Sequence, residues 1–322
     1  MARKKFYVGV DLGGTKILAA VVDASGEVVS RVKDKTQAAE GVKPTVERVI
    51  GCVNSALESA GVERPEAVGV GVAGPVDVER GIVLTAGNMP WDNVPLAKML
   101  RKGLGVETVF IDNDVNVGTY GEWRMGAGRK CDDLLGVFVG TGIGGGLILN
   151  DQLYRGHFHT AGEIGHTVIN TGGGLTRRIM EDLASRSAMA VTLARRIATN
   201  HPSMLADRIA PQKIFRRLRS GLLGEAYAAG DVETVAVVHE AAGYIGTAAA
   251  NAVMMLSLPL VVIGGGVTEA LGGPFVERIA DQLRRELFPA DLPVKVKEAE
   301  LGDDAGVIGA ALLAAQAAEA DG

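Results

Sequence analysis

Apolar residues along this chain come in short blocks cut by glycine and polar turns. The stretch KKFYVGVDLGGTKILAAVVDASGEVVSR, Lys4 to Arg31, reads as strand, glycine turn, strand, polar turn and strand. PTVERVIGCVNSALESAG, Pro44 to Gly61, repeats apolar residues at helical spacing between a leading proline and a closing glycine, so it predicts a helix. AVGVGVAGPVD reads as a buried strand that ends in a turn at Gly74 and Pro75. VPLAKMLRKGLG predicts a second helix, and VETVFIDND a strand whose end carries Asp112, Asn113 and Asp114.

After the helical stretch NVGTYGEWRMGAG the pattern restarts. LLGVFVGTGIGGGLILNDQLYRG, Leu134 to Gly156, is again apolar strand, glycine turn, apolar strand and polar turn. This likeness lies in the pattern rather than the letters, and it predicts two domains of one design facing each other across a cleft, joined near Asp112 to Asn116. Helices then follow in RSAMAVTLARRIATNH, AVVHEAAGYIGTAAANAVMML and VERIADQLRRELF, with strands in PLVVIGGGV and VKVKEAELG. GVIGAALLAAQAAEA closes the chain as an alanine-rich helix after the GDDAG turn, expected to pack back on the first domain.

Length and composition narrow the function. At 322 residues two domains are expected, and 47% apolar with 22% charged residues fits a globular enzyme. The net charge of −5 argues against a nucleic-acid or membrane-surface partner, since both lean on clustered Lys and Arg. KIFRRLR, Lys213 to Arg219, reads as a solvated helix face. Cys52 and Cys131 make no disulfide framework and no metal-ligand spacing, which fits a reducing cytoplasm. No signal-peptide run and no span approaching a membrane helix are found, so neither export nor membrane insertion is expected.

Three glycine clusters sit at strand ends: DLGGTK, GTGIGGG and IGGGV. Glycine admits positive φ and lets backbone N–H groups approach an anion, as phosphate binding requires. Gly140, Gly142 and Gly145 fit G-x-G-x-x-G, but an apolar strand follows where a dinucleotide site needs a helix, and no G-K-[ST] ending marks a P-loop. Two glycine hairpins in paired domains, with Asp11 at the first, resemble instead the phosphate loops of the actin-like ATPase and sugar kinase superfamily.

The segments DLGGTK, GPVD, GNMPWDNVPL, IDNDVN, GTGIGGG, AGEIGH and MEDLAS occur in the order and approximate spacing of the ROK sugar kinases. The chain resembles that family (repressor, open reading frame, kinase) over essentially its whole length, and bacterial glucokinases in particular. The resemblance implies a two-domain α/β actin-like ATPase (ribonuclease H-like) fold with duplicated mixed sheets, flanking helices and a cleft. Residues 1–113 plus 305–322 would form the N-terminal domain and 114–304 the C-terminal one.

It also implies ATP-dependent phosphorylation of a hexose, glucose first, with N-acetylmannosamine, N-acetylglucosamine or fructose as other acceptors and a non-catalytic sugar-binding protein as the other class. Asp114 is the implied base. Gly74, Asn88, Asn113, Glu163, His166 and Glu181 are the implied sugar contacts. Gly13, Gly14, Thr15, Lys16, Thr141, Gly142, Gly265 and Gly266 would line the ATP site, and Asp11 would hold Mg²⁺ through water. Domain closure on the sugar and a homodimer or homotetramer are further expectations. The family's repressors carry a DNA-binding domain ahead of DLGGT, and with only ten residues before Asp11 in this sequence a repressor is not the expected reading.

One departure stands out. Family members follow GEIGH with C-x-C-G-x-x-G-C-x-E, whose thiolates join the histidine around a structural zinc. Here His166 is followed by TVINTGGGLTRRIM before Glu181, with no cysteine and about five residues fewer. One histidine cannot supply the four N or S ligands of such a site, and hydroxyls of Thr171 or Thr176 would be poor substitutes, so no zinc is expected. Hydrogen bonds and packing must then hold the loop, with Gly172 to Gly174 allowing a tight turn.

Overall fold

The computed structural model describes residues 4–320, apart from residues 88, 171–177, 211–212 and 215–216. The chain divides into two compact units: Met1–Arg129 with Leu153–Ala161 and Asp303–Gly322, and Lys130–Gln152 with Gly162–Gly302.

The first unit opens with the meander β1 (Phe6–Leu12), β2 (Lys16–Asp23) and β3 (Val28–Lys35). Helix α1 (Val42–Ala60) leads to β4 (Ala67–Val72), and the short strands β5 (Val76–Asp77), β6 (Ile82–Ala86) and β7 (Trp91–Val94) form a small separate sheet. Helix α2 (Leu96–Leu104), β8 (Thr108–Asn113) and α3 (Asp114–Met125) follow. The main sheet has the order β3-β2-β1-β4-β8, antiparallel through the meander and parallel from β1 to β4 to β8.

Both faces of this sheet are covered, which is why β1, β2 and β4 are nearly continuous apolar runs. Val8, Val10 and Leu12 pack with Val46, Val49 and Val53 of α1 and Leu96 and Leu100 of α2. Tyr7, Leu18 and Ala20 point the other way, onto Val307, Ala311 and Ala314 of the C-terminal helix. That helix lies against the sheet at two glycines paired in register, Gly9 and Gly69. A Cβ on Gly9 would stand 1.7 Å from the Val307 carbonyl oxygen, and one on Gly69 1.8 Å from that of Ala310.

The second unit repeats the topology. Its strands are β9 (Leu134–Val139), β10 (Ile143–Leu149), the boundary strand β11 (Gln152–Tyr154) and the ribbon β12 (Val168–Asn170) with β13 (Arg178–Ile179). Helices α4 (Glu181–Ala184), α5 (Arg186–Ala198), α6 (Leu205–Arg208), α7 (Ser220–Ala228) and α8 (Val232–Leu256) lead to β14 (Leu260–Gly264). Helices α9 (Gly266–Leu271) and α10 (Gly273–Glu286), β15 (Lys295–Glu298) and α11 (Asp304–Ala320) complete the chain. The sheet order β11-β10-β9-β14-β15 matches the first unit strand for strand, with β9, β14 and β15 parallel.

The duplicated design is therefore visible in the topology, and α11 returns to the first unit. The units divide the chain elsewhere than at the expected join of residues 113 and 114. Helix α3 belongs to the first unit because it packs on α11 through glycines: a Cβ on Gly309 would meet the Val117 carbonyl oxygen at 1.8 Å, and one on Gly121 that of Ala305 at 2.3 Å. Residues 153–161 also join the first unit, and its C-terminal part begins at Asp303 rather than 305.

Candidate functional site

In the first unit the parallel register sets Asp11 level with Gly71 and Asp112, and Leu12 level with Val72 and Asn113. The carboxyl ends of β1, β4 and β8 thus bring Asp11, Asn113 and Asp114 to one edge, where open α/β sheets bind ligands. Beyond Asp11 the glycine turn closes tightly, Gly13 N–H donating to the Lys16 carbonyl at 3.0 Å. Thr36 Oγ1 donates to the Gly13 carbonyl at 2.6 Å and its N–H to that of Thr15, so the turn holding Gly14 and Thr15 is fixed from β3. Burial raises the Asp11 carboxyl above its ordinary value, and Lys16 partly opposes this. Lys16 Nζ meets Asp303 Oδ1 at 2.9 Å, and that bond holds the Asp303 carboxyl below its usual value.

Asn113 is the N-cap of α3: its Oδ1 accepts from the N–H groups of Val115 at 2.9 Å and Asn116 at 3.1 Å, while Nδ2 donates to the Gly74 carbonyl at 3.2 Å. One amide hydrogen remains for a ligand. Gly74 has φ of 110°, and a Cβ there would sit 2.3 Å from the Thr85 carbonyl oxygen, so glycine is required. Asp114, the first residue of α3, is half-buried, and its Oδ1 accepts from Val115 N–H at 3.0 Å. Asn88 lies outside the described residues.

Asp112 behind them is nearly fully buried. Its Oδ2 accepts from Arg155 Nε and Nη2, both at 2.7 Å, and its Oδ1 from Asn116 Nδ2 and the Asn113 N–H. The Arg155 guanidinium also lies over the Phe110 ring. This network fixes the strand end that presents Asn113 and Asp114.

The second unit gathers its own set. Gly140 N–H donates to the Gly142 carbonyl at 2.8 Å, closing the turn around Thr141. Glu181 Oε2 accepts from Ile143 N–H at 2.7 Å, and a Cβ on Gly142 would fall 2.3 Å from that oxygen. Gly265 has φ of 88° and packs on Val139, which brings Gly265 and Gly266 beside the 140–142 turn. Glu163 and His166 flank a short 3₁₀ turn laid on β10, where a Cβ on Gly165 would strike the Ile143 carbonyl oxygen at 2.0 Å. The two side chains are exposed, with Nε2 and Oε2 4.0 Å apart.

Thr171, Gly172, Gly173, Gly174 and Thr176 lie outside the described residues. Their flanks pair as an antiparallel ribbon, Val168 with Ile179, and Met180 N–H donates to the Thr167 carbonyl at 2.9 Å. With Met180 fully buried, the ribbon fixes the stem from which Glu181 projects. The donor chemistry of residues 162–181 offers one imidazole and no thiolate, which does not fit a four-ligand zinc site. Among the described residues no cluster of three His, Cys, Asp or Glu side chains could hold a metal. Asp11, a half-buried carboxylate beside a glycine turn, fits water-mediated contact with a hydrated Mg²⁺.

Sequence reasoning missed Arg155, Asp303 and Arg186. The first two act through partners remote in sequence; Arg186 heads α5 directly after the Ser185 cap and looks there like any solvated cation.

Two units of one topology, each closing a glycine turn at the carboxyl end of its parallel strands, define an actin-like ATPase fold. The chain belongs to the ROK family, whose model matches residues 7–317. It is 31% identical over 313 residues to a glucokinase of Thermotoga maritima, covering 94% of this chain and 95% of that one. It is 33% identical over 318 residues to a glucokinase of Streptomyces coelicolor, covering 95% and 96%. The crystal structure of a ROK family glucokinase from Streptomyces griseus in complex with glucose and AMPPNP matches it with a TM-score of 0.81 at 32% identity, over 97% of this chain and 99% of that one.

Proposed function

We propose that this protein transfers the γ-phosphoryl group of ATP to a hydroxyl of a hexose, with glucose as the acceptor. The observation that carries the reading is the strand-end edge of the first unit, where a half-buried carboxylate, Asp114, shares the sheet terminus with Asp11 and a glycine turn. Phosphoryl transfer needs a positioned hydroxyl, a group to take its proton and donors for the phosphates. Asp114 accepts the proton from the sugar hydroxyl as oxygen attacks phosphorus, and Asn113 orients a neighbouring hydroxyl through its remaining amide hydrogen. Gly74 shapes the turn that bonds Asn113.

Bound Mg²⁺ neutralises phosphate charge, and Asp11 would hold it through its water shell. Gly13, Gly14, Thr15 and Lys16 donate to phosphate oxygens in the first unit, Lys16 exchanging Asp303 for phosphate. Thr141 and Gly142 do so in the second, with Gly265 and Gly266 on the nucleoside side. Glu163, His166 and Glu181 hold sugar hydroxyls, since a carboxylate accepts from adjacent hydroxyls and an imidazole donates or accepts. The glucokinases among the relatives favour glucose over N-acetylated hexosamines or fructose. We further propose that the β12–β13 ribbon serves in place of the family's zinc and that the protein needs none. No helix among the described residues is long and apolar enough to cross a membrane.

The test is ADP release from Mg-ATP across glucose, mannose, fructose, N-acetylglucosamine and N-acetylmannosamine, with metal analysis of the purified protein. Turnover highest on glucose, with no stoichiometric zinc, supports the reading. Turnover on no sugar, or highest on an N-acetylated one, refutes the kinase or the glucose assignment respectively.

A further inference from the structure

The second unit holds a cation that the proposed roles leave unused. Arg186 Nη2 donates to Thr141 Oγ1 at 2.6 Å, and Nη1 to Ser220 Oγ at 3.4 Å. Both acceptors are neutral hydroxyls, and among the described residues no carboxylate lies within ion-pair distance of this guanidinium. The acid that reaches the same turn, Glu181 at the start of α4, bonds the Ile143 N–H instead. Arg186 is partly buried, and burial together with Arg219 lowers its pKa, so the site concentrates positive charge without an acid to balance it.

The position is built. Arg186 N–H donates to the Gly140 carbonyl at 3.0 Å, and the next residue's Ser187 Oγ to the Thr141 carbonyl at 2.7 Å, tying the start of α5 to the glycine turn on both sides. Ser220 Oγ, the other partner, would be 3.7 Å from a Cβ on Gly266, in the turn after β14. Arg186 therefore spans the two glycine turns that close the parallel strands β9 and β14. A guanidinium carries five N–H donors in a planar fork suited to phosphate oxygens, and three stay available here.

Resting on the nucleotide site of the proposed function, we propose that Arg186 binds the phosphate chain of the nucleotide and sets the preference for di- and triphosphates over the bare nucleoside. An anion arriving between the turns replaces the weak hydroxyl contacts with charge-assisted bonds and relieves the repulsion between Arg186 and Arg219.

The test is calorimetric binding of adenosine, AMP and ADP to the full chain, with Arg186→Gln and Arg186→Lys, alongside wild-type turnover. Arg186→Gln removes the charge-assisted bond to phosphate and weakens ADP binding by roughly 10- to 100-fold. Adenosine affinity stays unchanged, which also shows that the variant is folded. Arg186→Lys recovers part of the affinity, because a lysine supplies charge without the fork. Equal weakening of adenosine and ADP would show a purely structural residue, and unchanged ADP affinity would show no bond to phosphate; either overturns the proposal. The outcomes separate from the kinase reading. Wild type that discriminates ADP through Arg186 yet phosphorylates no sugar sinks the kinase alone, whereas turnover with ADP affinity indifferent to Arg186 sinks this proposal alone.

Discussion

Gly69→Ala adds one methyl group to the middle of β4, and its cost follows from the packing of α11. The new Cβ would stand 1.8 Å from the Ala310 carbonyl oxygen, where ordinary contact begins at 3.4 Å, so the helix must retreat by about 1.6 Å. It has no room, because Gly309 on α11 is pressed against α3, with a Cβ position 1.8 Å from the Val117 carbonyl oxygen. The obstacle is backbone, and no rotamer change relieves it. Overpacking costs about 1–3 kcal/mol and occasionally more, so the variant should lose about 3 kcal/mol and melt on the order of 6–12 °C lower. Gly306 of the same helix faces Asp11, at 3.5 Å from its Cβ for an added methyl, so nucleotide binding should weaken with stability. Gly51→Ala is the control. Gly51 is exposed in α1 with nothing near its Cβ position, and there the methyl should stabilise by about 0.5–1 kcal/mol. Urea and thermal denaturation followed by circular dichroism read both. A Gly69→Ala protein as stable as Gly51→Ala would refute the close-packing argument.

Arg155→Met leaves the buried Asp112 carboxylate with its Oδ1 bonds only and should cost about 3 kcal/mol, the low end for a broken buried pair. Adding Asp112→Asn should recover part of it; strict additivity in a double-mutant cycle would deny the coupling. Burial pushes the Asp231 carboxyl up, but its contacts with Thr234, whose N–H donates to it, and bonds from Met204 N–H and Ser203 Oγ outweigh this and hold the group below its ordinary value. A depressed carboxyl contributes stability above its unfolded value and loses it as pH falls through the folded one. Asp231→Ala, which removes the N-cap of α8, should cost about 1–2 kcal/mol at neutral pH, a gap that narrows below about pH 4. A gap constant into acid would contradict that. Glu181→Ala removes the carboxylate that Ile143 N–H holds in place, so KM for sugar should rise about tenfold with ATP little affected. A change confined to KM for ATP would remove Glu181 from the sugar site.

The duplicated meander was legible because each glycine turn interrupts an apolar run at the same point, before Lys16 and before Ile143. The return of α11 was legible from its small residues. What sequence could not show depends on contacts remote along the chain. Helix α3 joins the first unit through the seam of Gly121, Val117 and Gly309, which has no local signature. Asp112 looks like a bystander next to Asp114 until Arg155 arrives from beyond the next hairpin. Asn113 reads as a ligand residue, yet most of its hydrogen bonding caps a helix, a role its position before a helical run also permits. The absence of cysteine after His166 was plain in the sequence, whereas the β12–β13 ribbon was not, because both of its strands are too short to carry a period.

If Asp114 takes the proton of a sugar hydroxyl during phosphoryl transfer from ATP, replacing its carboxylate must slow the chemical step. The decisive measurement is the turnover number of Asp114→Asn on the preferred sugar with saturating Mg-ATP. A fall of roughly 10²–10⁴-fold is expected, with the fold and ADP affinity intact. Turnover equal to wild type would contradict the assignment of Asp114 as the base.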